Sequence, residues 1–170
     1  MLNDSNAEEV VMSIPRLGTS SMSDTSVLSV PDRMDTPPTK ISFNTTDFVN
    51  GGPAGNTFVT QASSQHTIKY PGVYLISSGI HFANPANPWK VAISWVGITP
   101  FGGSIGYDYM TATTGANSTN TNLNNAFYYE LGKGDIVALF VYQAQTPGAA
   151  LNASGGGDID FLELTLIDRL

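Results

Sequence analysis

After residue 40, apolar residues occur in short runs that are separated by turn-forming residues. Val73–Phe82, Ile136–Tyr142 and Asp158–Asp168 are three of these runs, and they are rich in β-branched, aromatic and aliphatic side chains. The segment Gly132–Asp135 is one of the turn signals between them. No window combines a helical period with capping residues. The pattern therefore predicts an all-β, antiparallel β-sandwich of the jelly-roll type.

Two of the predicted strands carry apolar residues on both faces. Because side chains alternate along a strand, Leu162, Leu164 and Leu166 should share one face of the last strand, with other apolar residues opposite. The run Phe140–Tyr142 is also apolar on both sides, and such strands need a second cover. We therefore expect subunit contacts in addition to a core. In contrast, the Thr- and Asn-rich range Thr111–Asn125 is predicted to be a polar loop without core residues.

The first 40 residues differ in composition from the rest of the chain. They contain no aromatic residue, one glycine and four prolines. Such a segment buries too little apolar area to repay the entropy of ordering by itself. Its short apolar clusters nevertheless favour an extended N-terminal arm over residues 1–40, which lies on another chain, followed by a domain over residues 41–170. A disordered leader is the alternative. The apolar residues expected to make the arm contacts are Val10, Val11, Ile14, Leu17, Val27, Leu28 and Val30.

The charge balance restricts the expected partners. Among 170 residues, 7 are Lys or Arg and 14 are Asp or Glu, so the formal net charge at pH 7 is −7. Nucleic acid and anionic membranes repel an acidic surface, and we expect neither as a partner. The sequence contains no apolar stretch of transmembrane length, and its first residues lack a signal-peptide pattern. The absence of cysteine excludes disulfides and thiolate metal sites.

Residues suited to catalysis are few. His66 and His81 are the two histidines of the chain, and each is expected to pack or to lie at the surface rather than to act as a general base. Asp158 and Asp160 would share one strand face, which makes a calcium site conceivable, but no third acidic ligand is close in sequence. A solubilising strand edge is the favoured alternative. We expect no enzymatic activity, no cofactor and no metal.

Two motifs resemble the C1q/TNF-like domain family. Tyr70–Ser77 is similar to its P-x-x-G-x-Y-x-F strand, and Leu131–Leu139 is similar to its L-x-x-G-D-x-V-x-L strand. Their order and spacing also fit, and Phe161-Leu162 resembles the closing strand of the domain. The resemblance extends over residues 41–170 and implies a jelly roll that assembles as a compact homotrimer. It further implies aromatic residues near the trimer axis, and the candidates are Tyr74, Tyr128, Phe140 and Tyr142.

The chain lacks features that accompany secreted animal members of this family, namely a collagen-like repeat, a signal peptide and cysteines. Similar jelly rolls occur in tailed-phage proteins. The resemblance therefore implies a trimeric capsid decoration, or cement, protein whose arm clamps neighbouring subunits of the major capsid protein. Its expected location is the outer surface of the virion, after synthesis in the cytoplasm of a host bacterium. An extended arm of this length could reach on the order of 130 Å.

Two other functions are alternatives. One is the receptor-binding tip of a phage tail or head fibre, with a ligand bound by loops such as Thr111–Asn125. The sequence has no heptads or repeats from which a stalk could form, so the decoration protein is the favoured interpretation. The other is a bacterial C1q-like surface or signalling domain, which requires an export route that the sequence does not show.

Overall fold

The computed structural model describes residues 18–24, 28–30, 38–43, 45–51, 57–83, 91–114, 120–144, 151–153 and 160–170. Within these ranges the chain forms strands, turns and bends, and no helix. The strands are β1 (Gly18–Asp24), β2 (Leu28–Val30), β3 (Thr39–Lys40), β4 (Thr45–Gly51), β5 (Val59–Ala62), β6 (Gln65–Ile68), β7 (Gly72–Ala83), β8 (Val91–Thr99), β9 (Gly106–Thr114), β10 (Asn120–Leu131), β11 (Ile136–Ala144), β12 (Leu151–Ala153) and β13 (Asp160–Arg169). They form two sheets, and the predicted all-β jelly-roll sandwich is confirmed.

The larger sheet is built around β7. This strand pairs with β10 on one side and with β13 on the other, and β1 lies between β13 and β4. The short strands β2 and β12 pair with each other, and β12 also meets β7 where Ala153 pairs with Phe82. All of these pairs are antiparallel. The centre of the sheet therefore consists of β10, β7 and β13.

The smaller sheet has the strand order β5-β6-β11-β8-β9, and β3 also pairs with β11. The β5–β6 hairpin is closed by Ser63 and Ser64, whose φ angles are 51° and 58°. The side chain of Lys40 holds this turn, because its Nζ donates to Ser63 O at 2.7 Å and to Gln65 Oε1 at 2.7 Å. Positive φ is costly for serine, so the turn depends on contacts of this kind.

The two sheets enclose a core of aliphatic and aromatic side chains. Alternation decides which residues enter it: in β7, Tyr74 and Ile76 are fully buried, whereas their outward neighbours are half-buried. Leu162, Leu164 and Leu166 of β13 are fully buried on one face, as their spacing predicted. Further fully buried side chains are Phe58, Phe82, Ile41, Ile68, Ile80, Ile98, Leu131 and Leu139.

The prediction of a core-free loop over Thr111–Asn125 is wrong. β9 continues to Thr114 and β10 begins at Asn120, so strands cover most of this range. Leu123 is 2% exposed and belongs to the core, while the residues on either side of it are exposed. Asparagine is uncommon in strands, which favoured a loop, but pairing with β7 and burial of Leu123 outweigh this weak propensity.

The sandwich includes a strand from the segment expected to form the arm. The backbone of β1 pairs with β13 on one edge and with β4 on the other. Met22 is the single large apolar residue of β1, and it is buried together with Ser20 on the inward side. Gly18–Asp24 is therefore held mainly by its two ladders, and its composition resembles that of a loop.

Candidate subunit interface

The outward side of the larger sheet combines apolar and small polar side chains. Side chains alternate along a strand, and the two neighbours of Leu75 in β7 are buried in the core. Leu75 therefore points outward. Its register partners are Tyr128 in β10 and Thr165 in β13. Tyr128 is 53% exposed. We call this surface the Tyr128 face, and its outward residues include Thr19, Val73, Leu75, Ser77, Gly79, Asn124, Ala126, Tyr128, Glu130, Phe161, Glu163 and Thr165.

A glycine makes one part of the Tyr128 face flat. Gly79 pairs with Phe161 in β13 and with Asn124 in β10. A Cβ atom at Gly79 would overlap the ring of Phe161 and would lie 2.8 Å from Asn124 Oδ1. The Phe161 ring therefore lies over the backbone of Gly79, where only glycine leaves room for it. This arrangement gives the face a low aromatic surface in addition to the Tyr128 ring.

Polar groups of the Tyr128 face bond to one another. Thr165 Oγ1 donates to Glu163 Oε1 at 3.3 Å, and Thr19 Oγ1 lies 3.3 Å from Thr165 Oγ1. Thr165 is only 2% exposed, although it lies on the outward side. Because these groups already have partners, covering them with another chain costs less than covering unpaired groups. The threonine hydroxyls of the face are thus suited to burial.

The structure does not bring the four predicted trimer residues together. Tyr128 lies on the outward face of the larger sheet. Tyr74 is fully buried in the core, its hydroxyl donates to Tyr70 O at 2.6 Å, and burial raises the pKa of Tyr74 above its usual value. Phe140 and Tyr142 point away from the core on the opposite side, in the smaller sheet. One flat interface can contain Tyr128 or the pair in β11, but it cannot reach Tyr74.

Most of the predicted arm contacts lie outside the described residues. This applies to Val10, Val11, Ile14, Leu17 and Val27. The other two, at positions 28 and 30, belong to β2, whose backbone pairs with β12 from Leu151 to Ala153. The backbone of β2 is thus part of the larger sheet, next to the end of β7.

Both histidines are buried. His66 of β6 contacts two polar side chains through Nε2: Ser20 Oγ of β1 at 3.0 Å and Gln61 Nε2 of β5 at 3.3 Å. Burial lowers the pKa of His66 from 6.5 to about 3, so its imidazole is neutral near pH 7. The backbone N–H of His81 donates to Asp160 Oδ1 at 2.8 Å. His66 therefore joins the two sheets, and neither imidazole is presented to solvent.

The described part of the chain contains no group of three or more His, Cys, Asp or Glu residues that could hold a metal ion. Asp160 is buried at the start of β13, and Asp158 lies outside the described residues. No helix that could cross a bilayer is found in the residues that the structure describes.

Solved structures resemble this fold, although no protein-family model and no curated protein sequence matches the chain. Murine APRIL at pH 5.0 has a TM-score of 0.64 and 12% identity, covering 88% of this chain and 98% of that chain. Eiger TNF from S. frugiperda has a TM-score of 0.61 and 16% identity, covering 92% and 95%. The globular domain of zebrafish complement 1qA has a TM-score of 0.57 and 14% identity, covering 89% and 98%. The chain therefore has a TNF/C1q-like jelly-roll fold.

Proposed function

We propose that this chain is a structural virion protein: a homotrimer that decorates the outer surface of a phage capsid and binds the major capsid protein. The Tyr128 face is the observation that carries the trimer. It is apolar at Leu75, Tyr128 and Phe161, and its threonines already have hydrogen-bond partners. The TNF/C1q-like fold supports the same assembly, because the resemblance to this family implies trimers.

The exposure of Tyr128 favours this face over other surfaces. Among the residues whose side-chain exposure the structure describes, the exposed large hydrophobic residues are Phe101, Ile105, Tyr128 and Leu170. Phe101 and Ile105 lie between β8 and β9, and Leu170 follows β13, so Tyr128 is the one of these four that lies on a sheet. Tyrosine is enriched at the centres of protein interfaces, where its ring is buried and its hydroxyl finds a partner. We therefore place the trimer contact at Tyr128.

Replacing Tyr128 with Glu should dissociate the trimer. The variant would have to bury three carboxylates near one another, and unpaired buried charge is strongly unfavourable. Since residue 128 points away from the core, the single chain should still fold. We expect the molar mass measured by size-exclusion chromatography with light scattering to fall to that of one chain. Thr60→Glu, at an exposed position of β5, is the matched control and should remain trimeric. A trimeric Tyr128→Glu variant would place the interface elsewhere.

The proposed grip on the capsid uses the arm. Because β1 is paired on both edges, deletion of residues 1–30 would disrupt the larger sheet together with the arm. Deletion of residues 1–17 removes Val10, Val11, Ile14 and Leu17 and leaves every described strand in place. We expect this deletion to abolish co-sedimentation with undecorated capsids while the trimer stays intact. Full binding by the shortened chain would reject the role of the arm.

The number of copies per particle tests the capsid role itself. Quantitative mass spectrometry of purified particles gives the ratio of this chain to the major capsid protein. A ratio of small whole numbers supports a decoration trimer at regular positions of the shell. A few copies per particle would instead favour the tip of a tail or head fibre. Absence of the chain from the particles would reject both functions.

A further inference from the structure

One end of the sandwich contains a cleft whose lining residues do not belong to the Tyr128 face. Its volume is about 470 Å³, and it is lined by Thr57, Lys69, Tyr70 and Lys133. The cleft lies where the end of β6 meets the turn between β10 and β11. This volume falls in the range of sites that bind small molecules. The fibre-tip hypothesis places the ligand at Thr111–Asn125. This range includes Asn120, where β10 begins, whereas the cleft lies at the turn that follows the other end of β10.

Two lysines far apart in sequence are brought to the cleft by specific contacts. Lys69 Nζ donates to Thr57 Oγ1 at 3.0 Å, which directs its ammonium group along the cleft wall. Lys133 belongs to a tight turn that is attached to the end of β6, because Gly134 N donates to Ile68 O at 2.8 Å. Gly134 has a φ of 92°, a conformation that favours glycine. The turn therefore has one defined position, with Lys133 beside the cleft.

The acidic residue of this turn is directed to the backbone. Asp135 Oδ2 accepts from Gly132 N at 2.7 Å, and its Oδ1 accepts from Phe101 N at 3.0 Å. The chain has 7 basic and 14 acidic residues, and two of those basic residues line this one cleft. Two cationic side chains that line one cleft favour a ligand of opposite charge.

An exposed aromatic ring packs on the turn that carries Lys133. Phe101 is 81% exposed. A Cβ atom at Gly134 would lie 2.5 Å from Phe101 Cδ2, so the ring lies over Gly134, next to Lys133. An exposed ring of this kind gains little from core packing. It offers an exposed apolar surface on the same turn as Lys133.

We propose that this cleft binds a saccharide that carries a carboxylate. Lys69 and Lys133 pair with the carboxylate, because charge-assisted hydrogen bonds are the strongest available to a surface site. Thr57 and Tyr70 bond to sugar hydroxyls, and the apolar face of the sugar ring packs against Phe101. This inference adds a binding activity to the proposed structural role and does not rest on it, since the four described residues that line the cleft belong to one chain.

Three probes separate the parts of this proposal: glucuronic acid, glucose and acetate. Glucose has the same ring without the charge, and acetate has the charge without the ring. We would titrate each into the full-length protein and follow backbone amide shifts by NMR. We expect glucuronic acid to bind in the millimolar range or better, with the largest shifts at residues 57, 69, 70, 101 and 133. Glucose and acetate should each bind about tenfold more weakly.

Lysine variants test the location of the site. Lys69→Gln and Lys133→Gln should each weaken glucuronic acid binding about fivefold to tenfold. Lys40→Gln changes the net charge equally, and it lies beyond the opposite end of β6, so it should bind like the parent protein. If acetate binds as tightly as glucuronic acid, the cleft is a simple anion site and the sugar makes no contribution. If glucose binds as tightly as glucuronic acid, the lysines do not contribute to binding. No binding of glucuronic acid, or an equal loss in Lys40→Gln, would overturn the proposal.

Discussion

The free energy of unfolding should fall as the pH is lowered from 6.5 towards about 3, because of His66. The folded protein holds this imidazole between the sheets, where its hydrogen-bond partners Ser20 and Gln61 carry no charge. Burial therefore favours the neutral form and lowers the pKa of His66. In this pH range the unfolded chain binds a proton that the folded chain does not, so protonation favours unfolding. The contribution of His66 to the free energy of unfolding is fully present above pH 6.5. As the pH falls from 6.5 towards about 3, it is lost at up to about 1.4 kcal/mol per pH unit.

Urea unfolding at a series of pH values measures this effect. His66→Gln keeps a polar side chain and cannot titrate, so its unfolding free energy should depend less steeply on pH below 6.5. Carboxylates contribute a slope of their own to both proteins, and the difference between the two curves isolates His66. Ser20→Ala is the matched control: it removes a hydrogen-bond partner of His66 and should lower stability while keeping the steep slope. Parallel curves for the parent and His66→Gln would contradict this account.

Replacing Leu123 with Ala should lower the free energy of unfolding by about 3 kcal/mol. Leu123 is 2% exposed and lies in the core between the sheets. The substitution removes buried methyl groups and leaves a cavity that the paired strands β10 and β7 cannot close. A residue in a polar surface loop would show no comparable loss, so this variant tests the assignment of residue 123 to a strand.

Asn122→Ala is the control for this substitution. Asn122 precedes Leu123 in β10, and its side chain is exposed. Its replacement should change the free energy of unfolding by no more than about 0.5 kcal/mol. Chemical unfolding followed by tryptophan fluorescence gives both values. Similar small effects at positions 122 and 123 would show that Leu123 is not a core residue in solution.

The sequence predicted several strands well. A strand was expected over Val73–Phe82, and β7 spans Gly72–Ala83. The alternation of leucines in β13 also predicted that they share one face, because side-chain direction in a strand depends only on position along that strand. The first half of β10 was missed, since its asparagines and threonines are typical of loops and Leu123 is its one large apolar residue.

The strand β1 shows why composition alone can fail. Its residues are mostly serine, threonine and glycine, which gives no local reason for a strand inside a sandwich. The side chain of its inward residue Ser20 nevertheless forms a hydrogen bond with that of His66, which lies 46 positions away in the sequence and in the other sheet. A buried polar side chain is tolerated when it has such a partner. No local pattern could predict that pairing.

The candidate sites were less predictable than the fold. Tyr74 and Tyr128 are both aromatic strand residues, yet the first is fully buried in the core and the second is 53% exposed. Alternation separates the two sides of each strand, but it does not say which side the other sheet covers. The basic cleft left no motif in the sequence, because Lys69 and Lys133 come from different strand ends.

By itself, the sequence determined the class of secondary structure, most strand positions, the turn at Gly132–Asp135 and the acidic charge, since these depend on composition or on a few neighbouring residues. Only the tertiary structure decided that β1 joins the larger sheet, that Tyr128 faces outward, and that two lysines share a cleft. These features depend on strand register and on sheet-to-sheet packing. A shift of one residue in register would reverse every side chain of a strand, so the contacts of the whole fold select one arrangement.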